Sequence, residues 1–403
     1  MRLNKVVAQL IGLQGSTVRG IDFEGDALVV SVAKKPGAHC CPHCGHKSSA
    51  TYDSHQRDWR HVPLGKWRVV VRSQLCRLSC PEHGVVCEAV PWAVHDSRFT
   101  RDFEDLVAWL TREMNQSAVT RLVKVAWVTV GSIVERVVQR YLNKARLDKL
   151  YVIGIDEVSY RRGHKYLTVI ADQLERRLVW LGEGRSMVTV DGFFDQLGEE
   201  RIKLLQVVTM DMSGPFISEV QKRAPHVAIA FDPFHVVKLG NEAVQEVRRR
   251  ETRAVKGTTA AEVLKGSMWA LLKAPESLRP EERAKLSDVS QLNRSVYRAY
   301  LLKEELRALY WCSPKAAPKH LDAWLSWASK SKLPEFVKVA ATLRKYRDGV
   351  LAAITYGVSN GLLEGLNNKI GMLKHRAFGF HSAAALISMV YLCCSNLQIQ
   401  LPT

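Results

Sequence analysis

The chain has 403 residues, a 47% hydrophobic fraction, and 58 Lys plus Arg against 40 Asp plus Glu, for a formal net charge of +18. That length and apolar content exclude a disordered chain and leave room for several packed units. The basic excess points to a polyanionic partner, nucleic acid first, and no run of about eighteen apolar residues is present to form a membrane span.

Read from its start, Met1-Arg2-Leu3-Asn4-Lys5-Val6 offers neither a sustained apolar core nor a cleavage site of the kind a secretory leader carries. A cytoplasmic protein is expected, nucleoid-associated when bound to DNA. Residues 1–95 read as short strands and turns around a cysteine cluster. Six of the nine cysteines fall between Cys40 and Cys87. In a reducing compartment that clustering favours metal over disulfides. Cys41-Pro42-His43-Cys44-Gly45 is a CxxC knuckle, and Cys80-Pro81-Glu82-His83-Gly84 repeats its shape with histidine last. Each knuckle sets two ligands on one tight turn. Strand-like Trp67–Arg72 lies between them, as a zinc ribbon requires. The expected structural Zn²⁺ ligands are Cys41, Cys44, Cys80 and His83, with Cys87 the rival for the fourth place.

Residues 98–145 read as helices. In the first, Val119, Leu122 and Val123 are expected to face inward. A short turn follows near Val125–Thr129, and then a second helix. This is the pattern of a helix-turn-helix whose second helix enters a major groove, with Thr129, Ser132, Arg136 and Arg140 as candidate DNA contacts. A plain helical hairpin is the alternative.

Residues 150–239 alternate strand and helix. Tyr151–Ile155, Lys165–Ala171 and Arg177–Leu181 read as an antiparallel meander. Val188–Leu197 has helical spacing, a fourth strand ends at Asp211, a helix opens near Ser213, and a fifth strand, Val227–Phe231, ends at Asp232. Three strands, helix, strand, helix, strand is the order of a ribonuclease H-like mixed sheet. Residues 240–357 read as a helical insertion. Phe336, Val339, Leu343, Tyr346 and Val350 step by helical spacing, as do Leu302, Leu306 and Leu309, and these stripes are core contacts. Arg248, Arg249, Arg250 and Arg253 form a basic run that is either a solvated face or a phosphate-binding one. Residues 358–400 are expected to return to the core. There Leu363, Leu366, Ile370 and Leu373 form a buried stripe, while Glu364, Asn368, Gly371 and His375 share a polar face. Lys374 and Arg376 follow as candidate phosphate contacts. The fold class is thus multidomain α+β: zinc ribbon, helix-turn-helix, and a ribonuclease H-like α/β core with a helical insertion.

Two buried strands that end in Asp156 and Asp211 are able to place both carboxylates on one divalent metal, since the first and fourth strands of such a sheet are neighbours. Glu364 joins them from a later helix. Asp156, Asp211 and Glu364 are therefore the candidate catalytic residues and ligands for two Mg²⁺ or Mn²⁺ ions, which together drive in-line displacement at a phosphodiester. Asp232 competes with Asp211 and is kept, with His235, as accessory. Glu157 is expected on the opposite side of the strand.

At these residues the chain resembles the DDE transposases of bacterial insertion sequences, specifically the ISL-three family. The matching phrases are the two knuckles, Gly154-Ile155-Asp156-Glu157, Met210-Asp211-Met212-Ser213, Phe231-Asp232-Pro233-Phe234-His235, and Ser359-Asn360-Gly361 through Glu364-Gly365-Leu366-Asn367-Asn368-Lys369-Ile370. The resemblance implies an enzyme that binds the terminal inverted repeats of its element, cleaves at the ends and transfers the strands to target DNA. It also implies Asp156, Asp211 and Glu364 as the triad. Two ends must be cut together, so a homodimer on double-stranded DNA is expected. A regulator without chemistry and a nuclease without strand transfer are the alternatives.

Overall fold

In the computed structural model, which describes residues 3–401, the chain forms two units, Met1–Asn143 with His375–Thr403, and Lys144–Lys374. The first begins with helix α1 (Leu3–Ile11) and seven strands: β1 (Ser16–Glu24), β2 (Ala27–Lys34), β3 (His39–Cys40), β4 (Lys47–Ser48), β5 (Asp53–Arg60), β6 (Arg68–Cys80) and β7 (Gly84–Cys87). The main sheet runs β1-β2-β6-β5, with β7 also on β6. Its core forms on alternate residues: Val69 and Val71 of β6 are fully buried, beside Val30 and Trp59, as a half-buried strand with period two requires. Strand β6 continues well past the expected Arg72. Pairing with β5 and then β7 carries it to Cys80.

Helices α2 (Arg101–Glu113), α3 (Gln116–Val123) and α4 (Trp127–Tyr141) follow. Thr100 caps α2 by accepting from the Phe103 N–H, and Asn115 caps α3 by accepting from Ala118. Lys124, in the left-handed region at φ 51°, ends α3. The chain then turns 102° into α4, within the range of a helix-turn-helix. Val119 and Val123 face inward, but Leu122 is 61% exposed. On a two-turn helix the i, i+4 pair defines the buried face, and Leu122 lies about 100° away from Val123. A C-terminal helix, Ala383–Cys394, packs on α4 and α2. Within residues 358–400, this helix, apolar on most of its surface, is buried in the first unit, and residues up to Lys374 belong to the second. Among the described residues, no single helix is long and apolar enough to cross a membrane.

The second unit holds strands β8 (Val152–Arg161), β9 (Lys165–Asp172) and β10 (Arg177–Glu183), helices α5 (Met187–Leu197) and α6 (Glu199–Ile202), strand β11 (Val207–Met210), helix α7 (Gly214–Arg223) and strand β12 (Ala228–Phe231). The sheet order is β10-β9-β8-β11-β12, with the first three antiparallel and β11 and β12 parallel to β8. This is the ribonuclease H-like arrangement. Strand β8 is longer than the five residues expected, because its hairpin with β9 continues after the pairing with β11 stops at Gly154 and Thr209.

Helix α8 (Pro233–Ala254) leaves directly from β12. Helices α9 (Thr259–Gly266), α10 (Met268–Leu272), α11 (Pro280–Leu292), α12 (Arg294–Ala308), α13 (Ala317–Ser329), α14 (Pro334–Lys345) and α15 (Arg347–Tyr356) complete the insertion, and α16 (Gly361–Arg376) follows. The expected stripe is buried at Phe336, Leu343 and Val350, although the helix breaks at Tyr346 between α14 and α15. Gly349 lets α15 press on β12: a Cβ there would lie 2.3 Å from the Phe231 ring.

Candidate active site

Three aspartates lie at one edge of three adjacent parallel strands, Asp211 and Asp232 just past the ends of β11 and β12 and Asp156 within β8, which continues to Arg161. Asp156 lies two residues past the last β8–β11 pair, Asp211 follows β11, and Asp232 follows β12. In open α/β sheets this edge is where ligands collect.

Glu364 sits in the first turn of α16, and two features fix that turn on the sheet. Gly154 is the first. A Cβ there would meet Leu363 Cδ1 at 2.6 Å and Thr209 Oγ1 at 2.9 Å, so only glycine admits the helix this close. Asn360 is the second. It is 3% exposed. Its backbone N–H donates to Asp232 Oδ1 at 3.0 Å, its Nδ2 donates to Ile155 O at 3.3 Å, and its Oδ1 accepts from Thr209 Oγ1 at 2.5 Å. One side chain thus ties α16 to β8 and β11. One turn beyond Glu364, Asn367 Nδ2 donates to Asp156 Oδ2 at 2.7 Å. It is Asn367, at i+3, rather than the expected Asn368 that reaches an aspartate.

Two clefts meet here. One, of 290 Å³, is lined by Asp156, Glu157, Asp211, Ser213, His235 and Lys238 among others. The second, of 340 Å³, is lined by Asp156, Asp232, Phe234, His235, Asn360, Glu364 and Asn367 among others. Asp156 and His235 belong to both. The expected triad is not gathered on one point. Asp211 clusters with Asp232 and His235 within 4.8 Å, whereas Glu364 is exposed on α16 and shares the second cleft with Asp156. Glu157 pairs with Arg185 at 3.1 Å yet also lines the first cleft.

The electrostatics show a site short of positive charge. Burial, reinforced by Asp211, pushes the Asp156 carboxyl up to about 6 against the bond it accepts from the Glu157 N–H at 2.7 Å. His235 is pushed up to about 9 by Asp211 and then Asp232, against its burial. Its Nδ1 is 2.6 Å from Asp211 Oδ1 and 3.1 Å from Asp232 Oδ2. The hydrogen bond is aligned on Asp232, which leaves Asp211 Oδ1 buried without an aligned donor among the described residues. Uncompensated carboxylate oxygens are hard donors of the kind Mg²⁺ or Mn²⁺ takes, so the residues fit such an ion.

Asn360 and Asn367 are the site residues that sequence reasoning passed over. The i+3 spacing of Asn367 from Glu364 was a usable signal. Asn360 stands in the Ser359-Asn360-Gly361 phrase, but its role follows from partners on two strands and at a third strand's end, which no local pattern shows. Asn360→Ala is expected to cost about 1–3 kcal/mol of stability and to lower catalysis by about 10–100-fold, as loss of a residue that orients ligands does. Thermal unfolding together with DNA cleavage by the same preparation measures both.

In the first unit, Cys41, Cys44, Cys80 and His83 offer ligand atoms all within 4.8 Å of one another. Cys44 Sγ is 3.5 Å from Cys80 Sγ, and His83 Nδ1 is 3.6 Å from Cys80 Sγ and 3.9 Å from Cys41 Sγ. A tetrahedron with Zn–S bonds of about 2.3 Å has edges of about 3.8 Å, so the group is shaped for zinc. Cys87 lies outside it, opposite Arg77 on β7.

The expected DNA contacts divide. Ser132 is exposed and Thr129 half-buried on α4, and Arg249 and Arg253 are exposed on α8. Lys374 donates to the Ser159 carbonyl. Four arginines of that set have internal partners. Arg136 and Arg140 bind the buried Glu104, and Arg140 also binds Asp105. Arg248 is 9% exposed and donates to Leu264 O at 3.1 Å. Arg376 donates to the Thr111 and Arg112 carbonyls at the end of α2. Arg250 pairs with Glu335, so the basic run on α8 is not one patch.

Residues 153–390 match a family profile described as "Transposase" of the DDE, ISL3 type. Residues 88–138 match the "Helix-turn-helix domain of transposase family ISL3", and residues 37–83 the "zinc-finger of transposase IS204/IS1001/IS1096/IS1165". The chain is 36% identical over 441 aligned positions to the transposase for insertion sequence element IS1557 of Mycobacterium tuberculosis (strain H37Rv), covering 100% of this chain and 98% of that protein. It is 28% identical to the transposase for insertion sequence element IS1001 of Bordetella parapertussis, over 93% of this chain and 94% of that one.

Proposed function

Because this chain belongs to the ISL3 family of insertion-sequence transposases, we propose that it binds the terminal inverted repeats of its element, cleaves at the ends and transfers the strands to target DNA at Asp156, Asp211 and Glu364. The observation that carries this reading is the common edge. Asp156 lies on β8 just past its pairing with β11, Asp211 follows β11, and α16 brings Glu364 into a cleft that Asp156 also lines.

Two divalent cations held by these three carboxylates would supply activation of the attacking oxygen and stabilisation of the leaving one. The chain's own residues prepare the site. The Glu157 N–H and Asn367 hold the two oxygens of Asp156. Asp232 is accessory: it accepts from the Asn360 N–H with one oxygen and faces His235 with the other. His235 in turn places a positive charge against Asp211 when no cation is bound.

In this reading the zinc ribbon of residues 1–95 and the helix-turn-helix of 98–145 read the repeat. The core of 150–239, with 358–374, cuts. The insertion 240–357 contacts flanking or partner DNA, and a homodimer brings two ends together. Ser132→Ala is expected to relax sequence preference. Arg249→Ala is expected to weaken binding evenly across sequences and to reduce the salt slope by about one. Titrations of full-length protein against repeat and scrambled duplexes at several salt concentrations separate the two effects.

The test of the function is direct. Full-length protein is incubated with labelled inverted-repeat ends, a target plasmid and Mg²⁺. Nicked ends and joined products are expected. Nicks without joined products would reduce the protein to a nuclease, and binding without nicks would reduce it to a regulator.

A further inference from the structure

Phe234 stands out beside the carboxylates. It is the second residue of α8, between Asp232 at 5% exposure and Val236 at 0%, yet it is itself 60% exposed. Of the exposed large apolar side chains among the described residues, Phe234 is the one that lines the cleft shared by Asp156 and Glu364. Its ring stands nearly perpendicular to His235, at 89° and 5.3 Å between centroids. The two rings meet edge to face, and most of the Phe234 side chain stays in water. Pro233 opens the helix and the His235 N–H donates to the Asp232 carbonyl at 3.1 Å, so Phe234 sits in the turn that also carries Asp232 and His235. An aromatic face left open to water at a phosphodiester site has one natural ligand in DNA, an unpaired base.

We propose that Phe234 is a stacking platform for the base of the nucleotide adjoining the phosphodiester that is cut, so that the duplex opens at the cleavage position. The proposal rests on the transposase chemistry assigned above to the neighbouring carboxylates. An opened base pair costs a few kcal/mol of stacking and pairing. Stacking on the ring offsets a large part of that, and the strand gains the freedom to seat its phosphate between Asp156 and Glu364. Base identity matters little to a π-face, so Phe234 acts on the rate of cutting rather than on the choice of sequence.

The test uses full-length protein, inverted-repeat duplex and Mg²⁺, and compares wild type with Phe234→Ala and Phe234→Trp. Phe234→Ala is expected to lower cleavage of the paired duplex by about tenfold or more, with end affinity unchanged. Phe234→Trp is expected to restore most of the rate. Cleavage by Phe234→Ala should also recover on a duplex mismatched at the nucleotide beside the cut, where the opening cost is already met. Cutting of the paired duplex by Phe234→Ala within about twofold of wild type would overturn the proposal. So would an equal loss on paired and mismatched ends. A change in oligomeric state in sedimentation would overturn it too, by assigning the ring to a contact between copies. Failure of the wild type itself to cut the end would sink the transposase chemistry, and this inference with it, and is read from a separate lane.

Discussion

Asp156→Asn, Asp211→Asn and Glu364→Gln are each expected to lower cleavage of inverted-repeat ends by about a thousandfold or more while leaving end affinity within about twofold. Each change keeps the shape of the side chain and removes one anionic oxygen from a site whose task is to hold cations against a phosphodiester. Several kcal/mol of transition-state stabilisation disappears, and about 1.4 kcal/mol is a factor of ten. The DNA-reading surface is untouched, so the loss appears in turnover and not in binding. Asp232→Asn is expected to be milder, since its oxygens serve Asn360 and His235. Loss of cleavage in Asp232→Asn with retention in Asp211→Asn would exchange the roles of the two aspartates.

Stability provides an independent reading of the same variant. The folded Asp156 carboxyl titrates near 6, above the ordinary value of about 3.9. A raised folded value means that the folded state holds its proton more tightly than the unfolded chain. The contribution to stability is then complete below the unfolded value and is lost as pH rises through the folded one. Metal-free protein should therefore lose this contribution between about pH 4 and pH 6, and Asp156→Asn should abolish that part of the pH dependence. At neutral pH the inactive variant should melt no lower than wild type in the absence of metal. A lower melting temperature there would mean that Asp156 is held mainly for folding.

Removal of zinc carries the second large effect. The purified protein is expected to hold about one zinc per chain at Cys41, Cys44, Cys80 and His83, and Cys41→Ser is expected to unfold the ribbon and weaken end binding. The apolar cluster around these ligands consists of Cys41, Leu78 and Cys80 with Val86 beside them. That is far too little burial to hold the two knuckles together. Metal binding worth about 10–16 kcal/mol in comparable small modules supplies the rest. Limited proteolysis should cut the variant within residues 37–90 and spare Lys144–Lys374. A metal-free preparation that kept native folding and binding would refute a structural zinc.

Much of this protein was legible in one dimension because its signals are local or periodic. The knuckles Cys41–Gly45 and Cys80–Gly84 specify a metal by spacing alone. The strand and helix order of residues 150–239 follows from runs of apolar residues and the turns between them. The stripe through Phe336, Leu343 and Val350 stays buried even though the helix breaks beneath it. Internal pairing of individual charged residues, in contrast, is not legible in one dimension. Arg136 and Arg140 look like groove-reading side chains on α4, but the helical face that carries them meets the buried Glu104. The pairing of a buried carboxylate is a requirement of the fold that a sequence does not display.

The sequence by itself determined which chemistry-bearing residues exist and the order in which strands deliver them. That information resides in residue type, spacing and hydrophobic period. Only the tertiary structure decided which of them meet. Asn360 joins residues 151 and 128 positions away, and Asn367 holds an aspartate 211 positions away. The tertiary structure also decided that Phe234 stays in water beside Asp232, and that the last helix is buried in the first unit. Those outcomes depend on close approach between distant segments, such as Leu363 over Gly154. Close approach is set by packing, which has no period along the chain.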